Sequence, residues 1–283
     1  MAMARISSQA FRRTIRRYYA LHGRNLPWRH THDPYKILVS EVMLQQTQVS
    51  RVIGYYETFL RKFPTIKALA RAPLADVLRA WQGLGYNRRA LMLKRAAEHT
   101  VRVYGGRLPQ DARLLDDLPG IGINTAGAIV AFAFNTPSVF IETNIRRVFI
   151  HFFFPNKRKV HDRDILNLVE KTLDRKNPRA WYYALMDYGA YLGREMKENP
   201  NRRSRSYAHQ SRFEGSDRQV RARIIRLVLE KKSMTLCDLT TRLAEQPARV
   251  RRIVTALEKE TFIKKMGDRF VIDTKPFDGR QMV

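Results

Sequence analysis

The sequence predicts an all-α protein that ends in a small winged-helix (α+β) domain. Apolar residues recur at helical spacing through most of the first 195 positions. The breaks between these runs are short and carry Gly, Pro or Asn. A period-two pattern emerges only near the C-terminus, in Phe262–Met266 and Arg269–Ile272 around Gly267-Asp268. The expected organisation is a helical domain over 1–195, a basic linker over 196–216 and the winged-helix unit over 217–283.

Taken in order, residues 7–22 read as an amphipathic helix stopped by Gly23. Leu26-Pro27-Trp28-Arg29 reads as a turn with an exposed aromatic, and Asp33-Pro34 opens a helix through Ile37, Leu38, Val42, Met43 and Leu44. Glu41 lies inside that apolar run. A carboxylate there usually marks a polar edge, but if buried it would hold its proton, as a general acid must near neutrality. Helices are expected over 49–63, 65–71, 74–82 and 88–104, with the turn Gly83-Leu84-Gly85-Tyr86 before the last. Residues 111–116 and 125–134 form two more, followed by the extended run Val139-Phe140-Ile141 and a cap at Glu142-Thr143-Asn144. Helices then resume from Ile145, over 162–174 and over 178–193. The Arg-, Ser- and Asn-rich stretch 199–215 fits either a linker or an ordered basic strap across a nucleic acid. Helices over 217–231, 235–244 and 247–260 precede the hairpin. The third carries Arg249, Arg251 and Arg252 and would face a DNA groove.

The chain has 283 residues, with 53 Lys and Arg against 26 Asp and Glu, a formal charge of +27. Solubility requires far less, so a polyanion is the expected partner, although charge alone assigns no chemistry. The single cysteine, Cys237, excludes an intrachain disulfide framework and any Cys-only metal or iron–sulfur site, and fits a reducing compartment. No window reaches the roughly 18 apolar residues of a membrane span. A cytoplasmic, nucleoid-associated monomer is the default expectation. Residues 1–32 lack Asp and Glu, and Arg5, Arg12, Arg13, Arg16 and Arg17 give them the look of a transit peptide. Ile6, Phe11, Ile15, Tyr18, Tyr19 and Leu21 recur at near-helical spacing, which favours the first helix of the folded domain.

The stretch Leu118-Pro119-Gly120-Ile121-Gly122 sits between two apolar helices. Gly120 and Gly122 permit a tight hairpin whose amides, at the start of the next helix, suit a phosphate oxygen. Two glycines alone are a weak signal.

Several motifs in order are more specific: Leu26-Pro27-Trp28, Ser40-Glu41-Val42-Met43-Leu44-Gln45-Gln46-Thr47-Gln48-Val49, Gly83-Leu84-Gly85-Tyr86, Leu118-Pro119-Gly120-Ile121-Gly122, Thr125-Ala126-Gly127-Ala128-Ile129 and Met186-Asp187-Tyr188-Gly189-Ala190. Over roughly residues 5–195 the chain resembles the helix–hairpin–helix–GPD superfamily, specifically MutY-type adenine DNA glycosylases. The resemblance implies a helix–hairpin–helix glycosylase fold, two helical subdomains with an active-site cleft, and a monofunctional base-excision enzyme. Such an enzyme flips adenine out of a mispair with 8-oxoguanine or guanine and hydrolyses its N-glycosidic bond. It assigns Glu41 to protonation of the base, Glu142 to stabilising the oxocarbenium-like sugar and Asn144 to a supporting role. It places Trp28, Asn124 and Asp187 around the adenine, and Gln46 and Tyr86 in the duplex, where plugs offset the cost of unstacking. Gly120 and Gly122 match the phosphate anchor, with a monovalent cation (Na or K) possible on backbone 118–123.

Four departures qualify that picture. Glu142 stands where the family has aspartate, and the added methylene can shift the carboxylate by about an ångström, a displacement able to cost on the order of 10²-fold. Asn124 stands where bifunctional relatives carry the Schiff-base lysine, so no lyase activity is expected, and the choice of base is less constrained. Gly193, Pro200, Arg203 and His209 occupy the positions of the family's four cluster cysteines, so no iron–sulfur cluster and no other cofactor is expected. A winged-helix unit stands where the family generally has a Nudix-like domain. The competing readings are a thymine- or uracil-removing mismatch glycosylase on the same scaffold, and a non-catalytic damage-binding protein.

Overall fold

A computed structural model describes residues 6–208 and 212–275. In chain order the helices are α1 (Ser8–His22), α2 (Pro34–Leu44), α3 (Val49–Lys62), α4 (Ile66–Arg71), α5 (Leu74–Trp81), α6 (Arg88–Tyr104) and α7 (Ala112–Asp116). They continue with α8 (Ile123–Phe134), α9 (Thr143–Phe153), α10 (Asp162–Thr172), α11 (Pro178–Glu195), α12 (Asp217–Lys231), α13 (Leu236–Leu243) and α14 (Pro247–Lys259). Three short strands, β1 (Met234–Thr235), β2 (Ile263–Met266) and β3 (Arg269–Ile272), form an antiparallel sheet in the order β1-β3-β2. Met234 pairs with Phe270, and Ile263 with Ile272. Among the described residues, no helix is long and apolar enough to cross a membrane.

The chain divides into two compact units. The first comprises residues up to 41, 109–117 and 121–209, and the second 42–108, 118–120 and 210 onward.

In the first unit α11 lies against α9, α1 and α8. Asn177 caps α11, its side chain accepting from Ala180 N at 3.3 Å, with Pro178 at the first helical position. The close crossing of α9 and α11 requires Gly189, because a Cβ there would come 2.6 Å from the Asn144 Cβ. Helix α1 is an integral part of this unit. Phe11 is fully buried, with its ring 5.3 Å from Phe149 and 5.9 Å from Trp181. The N-terminal arginines also work inside the fold. Arg12 donates to the carbonyls of Thr172 (3.0 Å) and Leu173 (3.1 Å) at the end of α10, where a cation satisfies orphan carbonyls, and Arg16 pairs with Asp174 at 2.5 Å.

In the second unit α6 packs on α4 and α5, and Trp81 and Phe59 are fully buried. Helices α12 to α14 and the sheet pack on one another, with Ile224, Val228, Leu239, Leu257 and Phe262 buried. Thr235 and Asp238 form a reciprocal capping box on α13. This is the three-helix, winged arrangement expected from the sequence, with β1 as an added strand.

Candidate active site and nucleic-acid groove

In the first unit, α2 carries Glu41 on its last turns, among the fully buried Leu38, Val39 and Ser40. Ser40 is satisfied within the helix, its hydroxyl donating to Ile37 O at 2.8 Å. Glu41 is half-buried, with protein packed closely around its carboxyl. Burial, then the nearby Glu142 carboxylate, push its pKa up from 4.5 to about 8. Glu41 is therefore a neutral acid near pH 7.

Glu142 has a different environment. It is the N-cap of α9, in extended conformation, and its Oε1 accepts from Asn144 N (2.8 Å) and Ile145 N (2.9 Å). Burial raises its pKa and the net shift stays upward, but those two N–H groups, Arg147 and Arg146 all offset part of it by favouring the charged form. Both influences on Glu41 act upward, so Glu142 is the member of the pair that gives up its proton first.

Asn144 donates to Glu142 Oε2 at 3.3 Å and accepts from Arg147 Nη1 at 2.9 Å. Arg147 also donates to Gly189 O (2.6 Å) and Asn199 Oδ1 (3.2 Å), which links the carboxylate to α11 and to the segment after it. Asn124 is exposed at the start of α8, with its Oδ1 accepting from Ile141 N at 3.0 Å. It thus pins the extended run that leads into Glu142.

Trp28 corrects the sequence reading. It lies in a one-turn 3-10 helix over Pro27–Arg29 and is only 4% exposed, because Leu26 and Trp28 turn into the core. Asp187 is buried, and both its oxygens are taken by arginines: Arg24 N (2.8 Å) and Nε (2.5 Å), and Arg29 Nη1 (2.8 Å) and Nη2 (2.7 Å). Burial pushes its pKa up, but the Arg29 and Arg24 contacts prevail and hold it below the usual carboxylate range. The Arg29 guanidinium also lies 4.5 Å from the Tyr183 ring centre. Tyr183 is buried, its hydroxyl has no hydrogen-bond partner among the described residues, and burial and Glu41 keep it protonated. Sequence reading missed Arg29, Arg147 and Tyr183. No local signal pairs Arg29 with Asp187, because the contact spans 158 positions.

The cysteine positions of the family do not fit a cluster. Pro200 and Arg203 belong to a short 3-10 turn, and Gly193 fits against the Arg147 guanidinium. Arg203 donates to Phe154 O at 2.6 Å and also to Pro155 O. None of these side chains is a thiolate, and His209 lies outside the described residues. Among the described residues no three or more His, Cys, Asp or Glu side chains are grouped as metal ligands.

The hairpin residues differ in backbone. Gly120 has φ +74, and Gly122 is the extended N-cap of α8, with no side-chain cap.

The second unit holds a groove of about 1850 Å3 lined by Gln45–Gln48, Gly83–Arg89, Pro119, Gly120 and residues of α3 and α12. Gln46 (φ +54) and Tyr86 (φ +48) both sit on its wall in left-handed backbone, a conformation that costs a bulky residue energy and often marks function. One residue that the sequence reading passed over holds both loops. Arg89 donates to Val42 O (2.9 Å), Met43 O (2.8 Å), Gln45 O (2.5 Å) and Thr47 Oγ1 (3.0 Å), and to Leu84 O and Gly85 O (both 3.2 Å). Burial lowers its pKa to about 10, so it stays charged. On α14, Arg249 pairs with Asp217 (3.0 Å) and Glu245 (2.8 Å), and Arg252 pairs with Asp217 (2.7 Å). Arg251 remains exposed.

A neutral carboxylic acid beside a carboxylate at a helix N-terminus is the arrangement that protonates a leaving group while steadying a developing cation. Residues 39–173 match the model of the HhH-GPD superfamily base excision DNA repair proteins. The adenine DNA glycosylase of Mycobacterium tuberculosis (strain H37Rv) is 34% identical over 243 residues, covering 74% of this chain and 75% of that one. The chain therefore belongs to the HhH-GPD superfamily and, within it, to the family of the adenine DNA glycosylases. The enzyme of that name from Buchnera aphidicola (subsp. Baizongia pistaciae) is 38% identical over 200 residues, 69% of this chain but 56% of that one. The human enzyme is 36% identical over 194 residues, only 35% of its length. The chain thus spans about half or less of the length of some relatives it matches. Among solved structures, a thermostable thymine-DNA glycosylase superposes with a TM-score of 0.60 at 27% identity, covering 68% of this chain and 90% of that one. An endonuclease III–DNA covalent intermediate superposes with a TM-score of 0.56 at 20% identity and shares the fold.

Proposed function

We propose that this chain is a monofunctional DNA glycosylase that removes adenine mispaired with 8-oxoguanine or guanine. The observation that carries the reading is the asymmetric pair: Glu41, neutral near pH 7, and Glu142, hydrogen-bonded as a carboxylate at the N-terminus of α9. The names of the relatives supply the base. The adenine is extruded, with Gln46 and Tyr86 filling the duplex behind it. Glu41 gives its proton to a ring nitrogen, so the base leaves with the electron pair of the glycosidic bond as a neutral species. The Glu142 carboxylate faces the positive charge left on the sugar. Water then adds at C1′ and its proton passes to a carboxylate, leaving an abasic site and free adenine. Asn144 and Arg147 orient Glu142 through their hydrogen bonds. Asn124 offers no amine to attack C1′, so strand cleavage should require added alkali, and borohydride should trap no covalent adduct. The α8 N-terminus at Gly122 serves as a phosphate anchor, with or without a monovalent cation on the hairpin backbone. No iron–sulfur cluster is needed, and the purified protein should be colourless. On this proposal the chain works on chromosomal DNA as a monomer in the cytoplasm.

A second reading has one observation behind it, the likeness to a thymine-DNA glycosylase. One assay separates the two. Duplexes bearing A opposite 8-oxoguanine, A opposite G, T opposite G and U opposite G are incubated with excess protein and then treated with alkali. Cleavage confined to the adenine strands supports the proposal, and cleavage at T or U replaces it with the second reading. No cleavage on any duplex makes the chain a damage-binding protein.

A further inference from the structure

The groove of the second unit has one wall that the family resemblance does not supply. Helix α12 of the C-terminal domain contributes Arg218, Arg221, Arg223 and Arg226 to the lining, together with Arg51 and Arg88. With Arg89, seven arginines line the groove among the described residues, against one carboxylate, Glu260. That carboxylate is shared by Arg221 (2.9 Å) and Arg88 (3.9 Å), so it offsets little of the charge. Among the described residues neither Arg51 nor Arg223 has a carboxylate within ion-pair distance, and Arg226 has only Glu230 at 3.7 Å. At about 1850 Å3 the groove exceeds the roughly 300–1,000 Å3 of small-molecule sites. Its lining also includes the aromatic rings of Tyr55, Tyr86 and Phe213. The two walls are joined by Arg218, which donates to the Tyr86 hydroxyl at 2.5 Å and lies 5.4 Å from the centre of its ring.

The third helix of the winged unit is, by contrast, partly neutralised. Asp217 ties up Arg249 and Arg252, and the surface beside Arg251 and Lys259 is a shallow depression.

We propose that the C-terminal domain holds duplex DNA through α12 rather than through its third helix, with Arg223 and Arg226 taking backbone phosphates next to the strand that Tyr86 enters. The inference rests on the glycosylase reading for the identity of the polyanion. Arg218 then has two functions: it fixes Tyr86 in its left-handed conformation and couples the C-terminal domain to the plug.

The test measures binding of the full chain to a duplex of about thirty base pairs without a mispair, so that no chemistry is required. The dissociation constant is followed by fluorescence anisotropy across a salt series. Each phosphate contact contributes about 0.9 to the slope of log affinity against log salt, so Arg223→Ala with Arg226→Ala should lower the slope by about 1.8. The matching pair on the third helix, Arg251→Ala with Lys259→Ala, should leave the slope near that of the wild type. Thermal melts on all three proteins establish that they are equally folded. An unchanged slope for the α12 pair, or an equal fall for the third-helix pair, overturns the proposal. If the wild type excises no base yet the α12 pair still lowers the slope, the groove stands and the glycosylase reading falls.

Discussion

Replacing Glu41 with glutamine should raise stability and remove catalysis, and pH should separate the two effects. The fold holds the Glu41 carboxyl up at about 8 from its ordinary 4.5, by burial first and by Glu142 second. At 1.36 kcal/mol per pH unit this amounts to roughly 5 kcal/mol against the charged form, an upper figure because solvent reaches part of the side chain. In the unfolded chain the group loses its proton near 4.5, and in the folded chain near 8. Between those values the folded state alone keeps the proton, so stability is greatest below 4.5 and falls as pH rises through 8. The amide introduced by Glu41→Gln does not titrate. The melting temperature of that variant should therefore exceed that of the wild type by a margin that widens from about pH 6 to about pH 9. Over the same range the wild-type single-turnover excision rate should be level up to about pH 8 and then fall about tenfold per unit, as the acid is lost. Glu41→Gln should lose about 10²–10⁴-fold where the wild-type rate is level, and the gap should narrow above about pH 8 as the wild type loses its own acid. A wild-type rate still level at about pH 9.5, well past the titration of the acid, or a variant that excises at the wild-type rate, would refute the assignment of Glu41 as the proton donor.

Two further substitutions follow the same geometry. Glu142→Gln keeps an oxygen to accept from Asn144 N and Ile145 N, so α9 stays capped and should lose less than about 1 kcal/mol in urea denaturation. Its excision should nonetheless be nearly abolished, whereas Glu142→Asp, which keeps the charge, should remain clearly more active in single-turnover assays. Asp187→Asn leaves the Arg24 and Arg29 guanidiniums without their counter-charge, Arg29 at a buried site, and should cost about 3–5 kcal/mol by urea denaturation.

How much of this was legible in the sequence depends on the range of the interaction. Helices α6 and α12 and strand β3 run where periodicity and flanking residues predict, because both signals are local. Helix α8 starts at Ile123, two residues before the expected Thr125, because the extended Gly122 supplies the cap position. Strand β1 was missed: two residues carry no period, and its existence rests on pairing with Arg269 and Phe270. Trp28 was assigned to the wrong side because a Pro-containing turn does not reveal which way its aromatic points. The arginine networks were the least visible part of the site. Arg29 reaches Asp187 across 158 positions, and Arg89 reaches Met43 across 46. A reading that counts arginines only toward a net charge of +27 sends them all to an outside partner, whereas several spend their donors holding the fold together.

The segment after α11 shows what that internal use accomplishes. Asn201 donates to Thr143 O (3.0 Å) at the start of α9, and Arg203 donates to Phe154 O (2.6 Å) just beyond its end, so one short stretch holds the helix at both termini. Val160 N donates to Arg203 O and Arg205 N to Val160 O, which fastens the same stretch a third time. Arg147, gripping Asn199, Asn144 and Gly189 together, is the side chain through which this support reaches Glu142. Its positive charge also lowers the Glu142 pKa. Arg147→Ala should therefore both loosen α9 and move the acid limb of the pH–rate profile upward, because Glu142 then holds its proton to higher pH. Arg147→Lys restores the charge without the three-way grip, so it should return the acid limb toward its original position while thermal stability stays low. A purely structural Arg147 would leave the acid limb in place in both variants, and that result would remove the residue from the positioning of the carboxylate.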